Sequence, residues 1–370
     1  MREMMKVPPA QPIMTDKMIE AAANALRTER LTLGDSVFKF EEAFAKMCGT
    51  KYAVALNSGT AALQLALQAN GIKAGDKVLT SSMSFVATTN SYVAYGGVPG
   101  FADVLENEFT LDPAKLKGAI DSKTKAIIPV HLYGMPCHMD EINEVAKKHN
   151  LLVVEDSAQA HGAVYKGKKA GNLADIGCFS FYPTKNMHVG GDGGMITTNN
   201  EEVAELCRRM RHCGRKKGSN YEHDIIGYTM RLNSCNAAVG IEQLKFLDEW
   251  NEKRRAAAKL YDRQLRGVLD LVLPPQPTKD IVPVFHLYTI RTKKRNALKA
   301  HLEKNGIGVG VHYEIPIHLQ PIYKQMFGFK EGMLPVTERL CKEVLTLPMF
   351  AEITPDQIKY VCETIKVFCE

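Results

Sequence analysis

No Cys-x-x-Cys pair occurs anywhere in the chain. Its nine cysteines (Cys48, Cys137, Cys178, Cys207, Cys213, Cys235, Cys341, Cys362 and Cys369) are odd in number and scattered, which argues against both a zinc site and a disulfide framework. Most lie in apolar stretches and read as small buried hydrophobes, which suits a reducing, cytoplasmic setting. No run approaches the roughly 18 apolar residues of a bilayer-crossing helix. The opening MREMMKVPPAQPIM lacks the apolar core of a secretory signal. Internal repeats and low-complexity segments are missing. So are the Gly-x-x-x-x-Gly-Lys-Ser/Thr of a nucleotide phosphate loop and the Gly-x-Gly-x-x-Gly of a dinucleotide fold. Charge is nearly balanced, with 47 Lys and Arg against 41 Asp and Glu and a net charge of +6. That excess is too mild, and too poor in interleaved aromatics, for a nucleic-acid binder. The expected partners are therefore small molecules, with no nucleic acid, no membrane and no metal.

What remains is ordinary globular composition, 45% apolar and 24% charged over 370 residues. That length suits two domains, or one large one with an appendage. Between about 50 and 200, short apolar runs alternate with amphipathic helices. Strands are predicted at Tyr52 to Leu56, Lys77 to Thr80, Val98 to Ala102, Ala126 to Val130, Leu151 to Val154 and Ile176 to Phe181. Helices are predicted at Thr60 to Asn70, Phe85 to Tyr95 and Met139 to His149. This rhythm implies an α/β fold with a large, mostly parallel sheet covered by helices. After about 235 a single helix is predicted from Asn236 to Arg266, spanning roughly 45 Å at 1.5 Å per residue. A strand at Leu287 to Arg291, a helix at Ala297 to Lys304 and a closing helix entered through Thr354-Pro355-Asp356 complete a smaller C-terminal α/β domain. The boundary is expected near residue 250, giving a large domain over 1–250 and a small one over 251–370.

Three segments carry chemistry. Asn57-Ser58-Gly59-Thr60-Ala61-Ala62 runs from a strand end into a helix start, where unpaired amides and the helix dipole favour an anion; an ordinary capped helix has the same look. Asp156 follows the apolar run Leu151 to Val154, at the carboxyl end of a strand where open α/β sheets bind ligands. Lys185 follows the strand ending Phe179-Ser180-Phe181 and precedes the glycine-rich Gly190 to Gly194; a desolvated lysine there can become a Schiff-base former. Alone, each has a plain structural explanation. Together they supply what pyridoxal 5'-phosphate requires: an anion cradle, a carboxylate for the ring nitrogen and a lysine for the aldehyde.

With Glu155-Asp156-Ser157-Ala158-Gln159-Ala160-His161-Gly162, Lys185-Asn186, Gly191-Asp192-Gly193-Gly194, Ile226-Gly227-Tyr228 with Arg231, and Val311-His312-Tyr313 to His318, the sequence resembles the DegT/DnrJ/EryC1/StrS aminotransferases over nearly its whole length. The resemblance implies fold type I (aspartate aminotransferase-like), a homodimer with shared active sites, and transfer of an amino group from glutamate to a keto group of a nucleotide-linked hexose. It also implies roles. Lys185 would hold the cofactor and move protons; Asp156 would pair with the pyridine nitrogen; Gln159 would contact the ring or its phenolic oxygen. Phe85 would stack on the ring, and Ser58, Gly59, Thr60 and Ser180 would hold the phosphate. Arg231 would reach the phosphate of the neighbouring subunit. Family members that act as sugar dehydratases carry histidine in place of the lysine, so Lys185 speaks against that activity. A non-catalytic regulatory protein of the same fold is the other alternative. His161 and His188 read as structural residues of polar loops, His188 with a possible substrate contact. The basic run Arg208 to Lys217 reads as a solvated helix and loop face, with contact to a nucleotide diphosphate as its functional alternative.

Overall fold

A computed structural model describes residues 5–369, so the first four residues of the N-terminal stretch and the final glutamate lie outside the described chain. Two helices precede the sheet: α1 (Asp16–Thr28), capped by Thr15, and α2 (Asp35–Cys48), ended by Gly49 in the left-handed region at φ 76°. Then β1 (Tyr52–Leu56), α3 (Gly59–Ala69), β2 (Lys77–Ser81), α4 (Ala87–Val93), β3 (Val98–Ala102), α5 (Pro113–Ala119), β4 (Thr124–Ile128), α6 (Met139–His149) and β5 (Leu152–Asp156) alternate as the apolar pattern implies. A small hairpin, β6 (Val164–Tyr165) and β7 (Lys168–Lys169), leads to β8 (Ile176–Ser180) and β9 (Gly194–Thr198).

Seven of these strands form one sheet in the order β1-β9-β8-β5-β4-β2-β3. Only β9 runs against its neighbours, pairing antiparallel with both β1 and β8. The mostly parallel sheet expected from sequence is thus present, with one strand unforeseen: β9 offers only Met195 and Ile196 between glycines and threonines, a weak strand signal. The sheet is buried on both faces, as in β5, where Val153 to Asp156 are all buried.

Beyond the sheet come α7 (Glu201–Met210), α8 (Ser234–Leu244), α9 (Leu247–Leu265), β10 (Ile281–Val282), β11 (Tyr288–Arg291), α10 (Arg295–Lys304), α11 (Pro321–Phe327), α12 (Pro335–Glu343), β12 (Val344–Leu347) and α13 (Pro355–Cys369). The single long helix expected over 236–266 is two helices. The break at Lys245 and Phe246 contains neither Gly nor Pro; packing makes it. Leu247 enters the core under α2, while Trp250, stacked on Phe246 at 5.6 Å, packs with Met18, Val239 and Ala351. Ala257, Ala258, Tyr261 and Leu265 of α9 then join β11, β12, α10 and α13 in a separate apolar cluster, which Val7 of the N-terminal arm also enters. No helix among the described residues is long and apolar enough to cross a membrane.

The basic run departs from expectation at Arg211, while Lys216 and Lys217 are exposed as a solvated face would be. Arg211 is 2% exposed, not solvated. Its guanidinium pairs with Glu41 and donates to Ala55 O at 2.6 Å, while Glu41 accepts from Ala55 N at 2.9 Å. The pair therefore satisfies backbone groups on β1, the edge strand of the sheet. Arg209 pairs with Asp224, and Lys216 with Glu222 at 2.6 Å. Arg211→Ala would leave buried Glu41 with only the more distant Arg208, at 3.9 Å, as an ionic partner and should lower the unfolding free energy by about 3 kcal/mol. Urea unfolding followed by circular dichroism reads this directly, and a midpoint equal to the parent's would refute it.

Candidate active site

The site lies where the carboxyl ends of β1, β2, β5 and β8 meet. Lys185 sits in a turn closed by its own N–H to Tyr182 O at 2.9 Å. The next residue anchors that turn: Asn186 Nδ2 donates to Asn251 Oδ1 at 2.8 Å and to Val284 O at 3.0 Å, and its Oδ1 meets His286 Nδ1 at 3.2 Å. Burial lowers the Lys185 amine to about 8, against the opposing pull of the Asp156 charge. The two side chains foreseen as a catalytic pair thus share one electrostatic environment.

Asp156 ends β5 and is 5% exposed. Thr88 Oγ1 donates to its Oδ2 at 2.8 Å and Ala158 N to its Oδ1 at 3.2 Å. Ser84 Oγ backs Thr88 at 2.8 Å. Burial raises the carboxyl's pKa; these hydrogen bonds and the charges of Lys185 and His131 restrain the rise. Sequence reasoning did not find Thr88, because a threonine in a helical pattern gives no sign that it faces a carboxylate from a distant strand.

Gln159 is held from both sides: its Oε1 accepts from Tyr133 N at 2.7 Å and its Nε2 donates to Tyr313 Oη at 3.1 Å. Phe85 is 56% exposed, with its ring 5.9 Å from that of Tyr313. Tyr313 therefore joins Gln159 to Phe85, a contact that sequence spacing could not announce across more than 150 residues.

At the start of α3, Ser58 Oγ accepts from Ala61 N at 3.1 Å, and Ala62 N bonds to Ser58 O. The amides of Gly59 and Thr60, in the first turn, have no such intrahelical acceptor. Gly59 lies hard against Ser180: a Cβ there would stand 2.7 Å from Ser180 Cβ. The fold thus gathers Ser58, Gly59, Thr60 and Ser180 at one helix start.

Two histidines flanking this region behave as structural residues. His188 is buried, with Nδ1 accepting from Gly190 N at 3.0 Å and Nε2 facing Ile13 O at 3.1 Å, which ties the N-terminal arm to the lysine loop. Both nitrogens are engaged within the protein. His161 is buried among Phe44, Phe179 and Phe181; burial, reinforced by the nearby Lys185, lowers it to about 3 and keeps it neutral. Arg231 is not gathered with Lys185 and Asp156. Its backbone bridges to Leu56, and its Nη1 lies 2.9 Å from His212 Nδ1.

The family model for the DegT/DnrJ/EryC1/StrS aminotransferase family matches residues 12–366. A pleiotropic regulatory protein of Geobacillus stearothermophilus is 44% identical over 93% of this chain and 92% of its own. The dTDP-3-amino-3,4,6-trideoxy-alpha-D-glucose transaminase of Streptomyces venezuelae is 40% identical over 95% of this chain and 91% of its own. Among solved structures, the PLP-form of the putative sugar aminotransferase Spr1654 from Streptococcus pneumoniae superposes with a TM-score of 0.93 at 27% identity, covering 99% of both chains. The chain therefore belongs to the DegT/DnrJ/EryC1/StrS aminotransferase family and is a pyridoxal-phosphate-dependent aminotransferase.

Proposed function

We propose that this aminotransferase moves an amino group from glutamate to the keto group of a nucleotide-linked hexose, and that it does so in the cytoplasm as a homodimer with shared active sites. The observation that carries the aminotransferase chemistry is the buried Asp156 carboxylate at the end of β5, fixed by Thr88 and Ala158 N, together with the Lys185 turn that follows β8, whose Ser180 packs against Gly59 at the start of α3. The donor set fits the cofactor: a depressed amine for its aldehyde, a buried carboxylate for its ring nitrogen, and first-turn amides with Ser180 for its phosphate. When bound, pyridoxal phosphate supplies an electron sink for bond changes at the amino-bearing carbon.

The remaining work falls to this chain's residues. Lys185 takes and returns the proton at that carbon. Asp156, oriented by Thr88, would hold a proton on the ring nitrogen. Phe85 would cover the ring, and Gln159, braced by Tyr133 and Tyr313, would contact the ring or its phenolic oxygen. We assign residues 1–250 to a large cofactor-binding domain and 251–370 to a small C-terminal domain, with the N-terminal arm crossing to the latter through Val7. The sugar reading draws on the Streptomyces relative, whose name specifies a dTDP-linked amino sugar. The regulatory name of the Geobacillus relative is compatible with turnover, since Lys185 and Asp156 are both present here.

A panel of nucleotide-linked 3-keto and 4-keto hexoses assayed with glutamate tests the substrate. Release of 2-oxoglutarate matched by an amino sugar of the expected mass supports the reading, whereas transfer confined to simple 2-oxo acids overturns it. Shared sites have their own test. Lys185→Ala and Arg231→Ala proteins are unfolded and refolded together, and turnover is read at a cofactor concentration at which each alone is inactive. Half the dimers would then be mixed, each with one intact site, so roughly a quarter of parental activity should return if a two-fold dimer shares its sites. No recovery despite proven subunit exchange would place Arg231 in its own subunit's site.

A further inference from the structure

Between α7 and α8 the chain folds back on itself. Cys213 N donates to Tyr228 O at 2.9 Å, Met230 N donates to Arg211 O at 3.1 Å, and His212 bridges to Thr229. This pairing sets His212 on one arm beside Arg231 on the other, with Nδ1 and Nη1 2.9 Å apart. A guanidinium only donates, so Nδ1 must accept. The imidazole is therefore neutral, with its proton on Nε2. Its surroundings agree. Burial and the charges of Arg215, Arg231, Arg211 and Arg30 lower its pKa, so protonation is opposed from every side.

The choice of partner has a consequence. A carboxylate would orient Arg231 equally well but would cancel its charge. A neutral imidazole orients it and leaves the charge whole. Arg231 is half-buried, and its only side-chain hydrogen bond among the described residues is the one to His212. A guanidinium held in place, uncompensated and partly unsatisfied is suited to receive an anion with more than one oxygen.

We propose that His212 is the positioning residue for Arg231, fixing the guanidinium with a neutral acceptor so that its full charge is available to a phosphate dianion. On the shared-site reading above, on which this rests, that phosphate belongs to the cofactor bound by the neighbouring subunit.

The test compares two aldehydes on the cofactor-free dimer: pyridoxal phosphate, and pyridoxal, which lacks the phosphate. Dissociation constants are measured for the parent and for Arg231→Ala, His212→Ala, His212→Asn, His212→Asp and the double alanine variant. Losing one charge-assisted contact should weaken pyridoxal phosphate about tenfold or more in Arg231→Ala and in His212→Ala, with pyridoxal unchanged. The double variant should bind like Arg231→Ala alone, because His212 acts through Arg231. His212→Asn, whose Oδ1 can stand in for Nδ1, should restore most of the affinity. His212→Asp supplies an acceptor but neutralises the charge, and should not. If Arg231→Ala loses pyridoxal phosphate while His212→Ala binds like the parent, the positioning role is overturned and the shared site stands. Unchanged binding in Arg231→Ala overturns both. Equal losses for the two aldehydes in His212→Ala, or a failure of His212→Asn to recover, mean that His212 only supports the local fold, which also overturns the proposal.

Discussion

Lys185→Ala is expected to lower turnover by at least about a thousandfold, because in the proposed mechanism the removed amine is both the cofactor's attachment point and the proton carrier. The protein should also lose the visible absorption that accompanies cofactor bound to a lysine. Borohydride reduction of the parent followed by peptide mapping should label Lys185. Label on another lysine, with Lys185 untouched, removes it from this role. The setting of Lys185 adds a pH signature. Its amine is lowered to about 8, so at pH 7 about a tenth is uncharged and nucleophilic, against roughly one part in 3000 for a lysine near 10.5. A lowered lysine gains free base as pH rises through its own pKa. The rate at which cofactor-free protein captures pyridoxal phosphate should therefore climb with pH and level off above about 8. A rate still climbing toward pH 10 would show that burial does not tune this amine.

Lys185 and Asp156 were legible in the sequence for a physical reason. Asp156 lies one residue past the apolar run Leu151 to Val154, and Lys185 lies a few residues past the largely apolar Ile176 to Phe181; short runs of this kind in an alternating pattern read as buried strands, whose carboxyl ends open onto the ligand side of the sheet. The helix start proposed to hold the phosphate was legible through Ser58 and Gly59, where a cap and a glycine coincide. Less legible was anything that depends on two distant segments meeting. Thr88 reaches Asp156 across 68 residues, and Gln159 reaches Tyr313 across 154; neither pair leaves a local pattern. The break between α8 and α9 had the same origin. Leu247 and Trp250 enter different clusters, so tertiary packing bends a segment that local propensity would continue as one helix. Arg211 was misread because a run of basic residues in an amphipathic helix ordinarily faces water, whereas here one of them is spent on a buried carboxylate and a sheet edge.

Asp156→Asn should separate charge from shape. Asparagine keeps one of the two oxygens: its Oδ1 can still accept from Ala158 N, as the carboxylate does at 3.2 Å, while its Nδ2 takes the place of the oxygen that accepts from Thr88 Oγ1 at 2.8 Å and must donate to that hydroxyl instead. What disappears is the negative charge facing the ring nitrogen. Without it, on the proposed pairing, the ring nitrogen would lose the charge that favours its protonation, and the ring would be a poorer acceptor of the electrons released at the amino-bearing carbon. Losing electrostatic stabilisation of this kind in a buried site costs on the order of 100-fold or more in rate. Cofactor affinity should fall less, because Lys185 and the phosphate cradle remain. Thr88→Val supplies the complementary case: the charge stays but loses one of its two orienting donors, and burial then presses the carboxyl toward its neutral form with less to oppose it. Its expected effect is a rate loss of roughly tenfold, the value of one hydrogen bond to a charged group. Rates and cofactor dissociation constants measured together on both variants decide the matter. If Asp156→Asn turns over like the parent, the proton on the ring nitrogen is held by another group; if Thr88→Val loses as much as Asp156→Asn, the orientation of the carboxylate matters as much as its charge.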